Sequence, residues 1–134
     1  MVKLEDFSND TAYAHYQPFS IGSEASNYRL TIGAYSFGTA GDSLSRLNGH
    51  SFTTYNRDND DWSSNCARLR QGAWWYGYDY LIYRHYNNVC GYSNLNGMYL
   101  GPAGSDYTGM YWYTWKSSWR SLKATTMMMR PLTE

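Results

Sequence analysis

The sequence predicts an α+β domain of short strands joined by long loops. Three observations point there. The chain has 134 residues, enough for one hydrophobic core and not for two. Short stretches alternate apolar and polar residues at the period of a strand, and none runs long. Between them lie extended segments punctuated by twelve glycines, with no internal repeat and no low-complexity tract. Long loops in a compact domain need a clamp, such as a metal ion or a disulfide.

The elements follow in chain order. Residues 11–19 begin by alternating Tyr and Ala, as a half-buried strand does, and stop at Pro18. Residues 21–26 form a turn. Residues 27–33 place Tyr28, Leu30 and Ile32 on one face of a second strand, completing a hairpin with the first. Residues 38–44 are a glycine-rich loop without the Lys-Ser/Thr of a phosphate cradle, so its glycines serve turns and close packing. Asp42 or Ser43 caps a short helix. Residues 50–55 read as a strand entering an acidic loop, and residues 93–100 as a turn feeding another. Residues 109–119 are dense in aromatics. In residues 121–130, Leu122, Ala124, Thr126 and Met128 define one buried strand face, closed by Pro131.

Composition narrows the function classes. Eleven basic and eleven acidic side chains balance, which disfavours a charge-driven nucleic-acid or anionic-membrane partner. No run of about eighteen apolar residues exists, so no insertion into a membrane is expected. The first six residues lack the apolar core of a signal peptide, so the chain reads as a mature or recombinant piece of a longer one. Fifteen tyrosines and six tryptophans suit an irregular core or a recognition surface. Two cysteines in such a chain point to an oxidising compartment, with two buried thiols as the alternative. Asn9-Asp10-Thr11 is a glycosylation sequon in a secreted setting.

The chemistry-bearing motif is Asp58-Asn59-Asp60-Asp61-Trp62-Ser63-Ser64. Carboxylates two residues apart on a loop can converge on one calcium ion, joined by backbone carbonyls. Ser63 and Leu69 stand where an EF-hand needs Gly and Glu, which excludes that motif. A merely solvated acidic loop is the alternative. His15, His50 and His85 are scattered, no nucleophile elbow is present, and no carboxylate pair stands out as acid and base. The sequence therefore predicts no enzyme.

The ordered motifs carry a resemblance. They are Asp58-x-Asp60-x-Trp62-x-Ser64-Asn65-Cys66-Ala67, then Gly72-Ala73-Trp74-Trp75-Tyr76. Next comes Cys90-Gly91-Tyr92-Ser93-Asn94-Leu95-Asn96-Gly97-Met98-Tyr99, and last the run from Ser121 to Pro131. Together they resemble the fibrinogen C-terminal domain family, shared by ficolins, tachylectins, tenascins, angiopoietins and microfibril-associated glycoproteins. The resemblance spans residues 4–131. Residues 90–91 and 121–130 lean toward angiopoietins, residues 11–14 and 38–44 toward ficolins and microfibril proteins.

The resemblance implies a short twisted mixed or antiparallel sheet with long loops. The whole chain, residues 1–134, would be one truncated domain lacking the family's N-terminal subdomain. It implies calcium held by the side chains of Asp58 and Asp60 and the carbonyls of Trp62 and Ser64, and a disulfide between Cys66 and Cys90. It implies that the peptide bonds Asn65–Cys66 and Val89–Cys90 can be cis. Residues 77–89 read as an insertion of about eleven residues in a loop of the kind that tolerates one. The acetyl-group pocket of the lectin members is mostly replaced: Gly91 stands for a His, Arg70 for an aromatic, and Ser118, beside Trp119, for a tyrosine. Tyr107 or Asp106 takes the remaining position.

The predicted function is extracellular, non-catalytic recognition of a protein partner on a calcium-and-disulfide frame. The contact set is Tyr78, Tyr80, Tyr83, Arg84, His85 and Tyr86, with Arg70, Gly91, Tyr107 and Trp119 at the neighbouring pocket. Tyr111, Tyr113 and Arg120 extend that patch. Tyr with Asn, Gly and Arg is the composition of antibody-type recognition loops. An extra aromatic hairpin folded onto the core is the alternative for the insertion. Alternatives for the function are a lectin for acetylated glycans and a self-assembly module. The mixed lineage and Tyr-rich insertion are the pattern of a designed or library-derived binder, or else of a divergent natural member.

Overall fold

The structure, a computed structural model, describes residues 1–131. Among the described residues there are six strands and two α-helices: β1 (Val2–Glu5), β2 (Thr11–Tyr16), β3 (Phe19–Ile21), β4 (Leu30–Ile32), β5 (Tyr35–Gly38), α1 (Cys66–Arg70), α2 (Tyr80–Tyr86) and β6 (Ala124–Met127). Four of the strands form an antiparallel sheet in the order β5-β2-β1-β6, and β3 and β4 form a separate antiparallel pair.

The sheet follows from alternation. Val2 and Leu4 of β1 and Ala12, Ala14 and Tyr16 of β2 are buried, while their neighbours are not. The register pairs Val2 with Ala14 and Leu4 with Ala12, so one face meets the core. At the other side of β2, a Cβ on Gly38 would lie 2.0 Å from the Tyr13 carbonyl oxygen, so this strand approach requires glycine.

Between β5 and β6 the chain has almost no regular ladder. The expected strand at residues 50–55 is reduced to the bridges Thr53–Trp74 and Thr54–Arg57. That at residues 93–100 is reduced to Ser93–Trp112 and Met98–Gly109. Buried side chains replace the ladder. The Asn94 amide donates to the carbonyls of Arg70 (3.1 Å) and Gly109 (3.0 Å), while its oxygen accepts from the Tyr76 hydroxyl (2.6 Å). Ser93 Oγ accepts from Trp74 Nε1 and donates to the Ser43 carbonyl. Buried amides and hydroxyls thus take the role that strand pairing plays elsewhere.

Several expectations are corrected. The hairpin is formed by β3 and β4, not by β2 and β4, because β2 pairs with β1 and β5; the Gln17–Pro18 peptide bond between β2 and β3 is cis. Among the described residues that is the cis peptide bond; Asn65–Cys66 and Val89–Cys90 are trans. Tyr28 has φ 56° and is exposed, so it does not join Leu30 and Ile32 on one face. The short helix expected to be capped by Asp42 or Ser43 is a single 3-10 turn, Ser45–Leu47, with Leu44 at its N-cap position; the Asp42 carboxylate accepts from the amides of Leu44 and Ser45. β6 is an edge strand, so Ala124, Thr126 and Met128 are exposed and only Leu122 of the expected face is buried.

Candidate recognition site

The acidic loop folds back on itself through Asp60. One carboxylate oxygen accepts from the Trp62 amide (3.0 Å) and the other from the Cys66 amide (2.9 Å), where α1 begins. Asp58 accepts from the Asp60 amide at 3.3 Å. Asn65 caps α1, accepting from the amides of Ala67 and Arg68 while its own amide donates to Thr54 and Tyr55. Burial pushes the Asp60 carboxyl up; the amides of Cys66 and Trp62 oppose this, the charge of Asp58 adds to it, and the net shift is upward.

The donors suit a hard cation. They are all oxygen, and among the described residues no hydrogen bond reaches the carbonyls of Trp62 or Ser64. No cluster of three or more His, Cys, Asp or Glu is present among those residues, so carbonyl oxygens would have to complete any coordination sphere.

Cys66 and Cys90 are joined by a disulfide, with Cα atoms 5.8 Å apart and both residues fully buried. The ring it closes contains Trp74–Tyr76 and the whole segment 77–89. That segment is neither an open loop nor a hairpin, because Asp79 starts a helix. Its carboxylate accepts from the amides of Leu81 (2.9 Å) and Ile82 (3.2 Å) and pairs with Arg46. Slight burial pushes the Asp79 carboxyl up, but Arg46 and the two amides outweigh it and hold it low. Asn87 ends the helix in the left-handed conformation.

The helix has two faces. Ile82 is buried and Tyr86 half-buried; Tyr80, Leu81, Tyr83, Arg84 and His85 are exposed. Before the helix, Tyr78 donates its amide to Asp61 (2.8 Å) and stacks on Trp62 at 4.8 Å, with Tyr83 tilted against both rings. The acidic loop and the helix therefore share one aromatic seam.

Tyr86 is seated in a nest of rings. Its ring lies 4.8 Å from Tyr113 and 5.6 Å from Trp119, and its carbonyl accepts from the Tyr107 hydroxyl. Trp119 packs in turn on Tyr107 and Tyr111. Arg70 is buried beneath, with its guanidinium 5.0 Å from the Tyr107 ring centre and hydrogen-bonded to Asn88, but with no carboxylate partner among the described residues. Gly91 is buried with φ 118°, and a Cβ there would lie 2.8 Å from Leu47 Cδ2. Of the predicted contact set, Arg70 and Gly91 are thus interior, Tyr107 and Trp119 hold Tyr86, and the helix carries the exposed face.

Sequence reasoning missed both helices and the buried amides. Asp79, immediately before Tyr80 and Leu81, is a readable helix start, and Ile82 with Tyr86 a readable inner face. Nothing local marks Asn88 and Asn94 as buried.

A sheet flank carrying an irregular, disulfide-closed half defines a loop-built domain. A family model, "Fibrinogen beta and gamma chains, C-terminal globular domain", matches residues 1–132, and the chain belongs to that family. It is 45% identical over 139 residues to Fibrinogen C domain-containing protein 1 of Mus musculus, covering 99% of this chain and 28% of that protein. It is 42% identical over 135 residues to Microfibril-associated glycoprotein 4 of Homo sapiens, covering 96% and 49%. The fibrinogen-like globe domain of human ANGPTL6 superposes with a TM-score of 0.82 at 39% identity, over 99% of this chain and 56% of that one. A lamprey fibrin D-dimer complexed with the peptide Gly-His-Arg-Pro-amide superposes at 0.75 and 30% identity, over 99% and 46%. The chain thus spans half or less of these curated relatives. It is a fibrinogen-like domain of the kind carried by extracellular recognition proteins. Among the described residues no helix is long and apolar enough to cross a membrane.

Proposed function

We propose that this domain binds an extracellular protein through the exposed face of α2, with calcium in the acidic loop stiffening the base of that face. One observation carries the reading. Tyr80 (59% exposed), Leu81 (51%) and Tyr83 (38%) form an apolar, aromatic patch on a helix fixed at both ends: by Asp79 and Arg46 at one, by Tyr86 in its nest at the other. Large rings and leucine on a rigid support have the makeup of an interface core, and Arg84 and His85 would form its polar rim. The lamprey relative is complexed with a peptide, which supports polypeptide recognition on this fold. A protein is favoured over an acetylated sugar because Tyr86 already fills the nest at Tyr107 and Trp119.

Calcium would bind the carboxylates of Asp58 and Asp60 and the carbonyls of Trp62 and Ser64. It would supply positive charge where the two carboxylates crowd, and hold Trp62 against Tyr78.

The test is a binding screen of the wild-type domain against immobilised extracellular proteins, repeated with Tyr80→Ala/Leu81→Ala/Tyr83→Ala. Loss of a wild-type interaction by at least about a hundredfold is expected. Retention in the variant, or no wild-type interaction at all, overturns the reading. Calcium is tested separately by melting temperature, which should rise in calcium over chelator in the wild type but not in Asp58→Asn/Asp60→Asn.

A further inference from the structure

We propose that Asn9, in the hairpin turn joining β1 to β2, carries an N-linked oligosaccharide when the chain passes through a secretory pathway. Asn9-Asp10-Thr11 is the single Asn-x-Ser/Thr triplet in the sequence. Such triplets also occur by chance, and an asparagine-linked sugar is bulky, so the folded chain must leave it in solvent. Asn9 and Thr11 are both exposed. The turn that presents them is firmly built. The Asn9 amide donates to the Asp6 carbonyl (3.1 Å) and the Asp6 amide to the Asp10 carbonyl (3.0 Å), while the Asp6 carboxylate accepts from the amides of Ser8 and Asp10 (both 3.0 Å). Asn9 closes the turn at φ 65°, a left-handed conformation that asparagine tolerates.

The two ends of the Asn9 carboxamide are used differently. Its Oδ1 accepts from Lys123 Nζ (2.9 Å), which also lies 3.6 Å from Glu5. Glu5 pairs with Thr11 across the ladder, so the Asn9 carboxamide and Thr11 stand together on the sheet face turned away from the core. Among the described residues, neither Asn9 Nδ2 nor the Thr11 hydroxyl takes part in a hydrogen bond. Nδ2 is the atom that glycosylation uses. It attacks the anomeric carbon of an oligosaccharide carried on a lipid diphosphate. The N–C bond forms, the C–O bond to phosphate breaks, the lipid diphosphate leaves with that electron pair, and Nδ2 gives up one proton. Oδ1 is untouched, so the bond from Lys123 survives and the folded turn loses nothing. Asn88-Val89-Cys90, the cysteine variant of the triplet, is the counter-case. There Asn88 is fully buried, its Nδ2 donates to the Gly91 carbonyl (2.9 Å), and Cys90 is held in the disulfide.

The test is to express the full chain behind a cleavable secretion leader in a eukaryotic cell line. The secreted product is read by intact mass and peptide mapping, before and after a peptide N-glycosidase. The wild type should carry a heterogeneous added mass of hexose and N-acetylhexosamine that collapses on treatment and leaves aspartate at residue 9. Asn9→Gln and Thr11→Ala should abolish the added mass, Thr11→Ser should retain it, and peptides covering Asn88 should stay unmodified. Thr11→Ala leaves Asn9 and its bond from Lys123 in place, so loss of mass in that variant reports the triplet rather than a disturbed turn. A secreted wild type at the mass of the bare chain, added mass that persists in Thr11→Ala, or a glycan mapped to another residue in place of Asn9 overturns the assignment. None of these variants touches the exposed face of α2, so their outcome is independent of the protein-binding reading.

Discussion

The two halves of the molecule are held together by different kinds of bond. In the sheet flank, β5, β2, β1 and β6 share backbone ladders, and side chains need only be apolar on alternate positions. In the half between β5 and β6, backbone groups are satisfied by Asn88, Asn94, Ser43 and Ser93, and the disulfide closes the ring that carries α2. The first arrangement tolerates substitution because a ladder does not depend on side-chain identity. The second concentrates stability in a few polar atoms, each serving several partners.

Substitutions should expose that difference, most strongly in the irregular half. Asn94→Ala strands the carbonyls of Arg70 and Gly109 and the Tyr76 hydroxyl in the interior, and should cost about 4 kcal/mol by denaturant unfolding. Removing the disulfide with Cys66→Ser/Cys90→Ser frees a loop with a sequence separation of 24 and should cost about 3 kcal/mol.

The joint between the halves should respond to pH. Tyr16 of β2 donates its hydroxyl to Asp42 at 2.7 Å, and the amides of Leu44 and Ser45 donate to the same oxygen. Burial pushes the Asp42 carboxyl up, but Ser45, Tyr16 and Leu44 outweigh it and hold it below its ordinary 3.8. Near that pH the unfolded chain binds the proton more readily, so the contribution is present above it and is lost as pH falls through the lower, folded value. Asp42→Asn should flatten the acid limb of a stability-versus-pH curve by about 1 kcal/mol, allowing for solvent screening. At the far edge of the sheet, Thr126→Lys on exposed β6 should change stability by less than about 0.5 kcal/mol. A larger loss there would mean that the edge strand carries more than its ladder.

The same contrast explains what the sequence made legible. β2 and β4 announced themselves by alternation, and the family motifs marked the two cysteines and the acidic loop. β6 misled, because Leu122, Ala124, Thr126 and Met128 on alternate positions read as one buried face, whereas the strand lies at the edge of the sheet and only Leu122 of that set is buried. α2 was hidden by composition: tyrosines suggest a mobile recognition loop, yet the Asp79 cap and the Tyr86 anchor make a helix of them. Arg70 reads as a pocket contact because it stands where the resemblance places a pocket aromatic, whereas here Asn88 and Tyr107 receive it in the interior.

The covalent ring also decides how the domain would break under proteolysis. α2 lies wholly inside it and exposes Arg84 to solvent. A single backbone cut there would produce two polypeptides that remain one molecule until reduced. The frame would keep its fold while the helical face frayed, without release of a fragment. Intact and nicked protein would co-migrate on a non-reducing gel and separate only after a thiol was added.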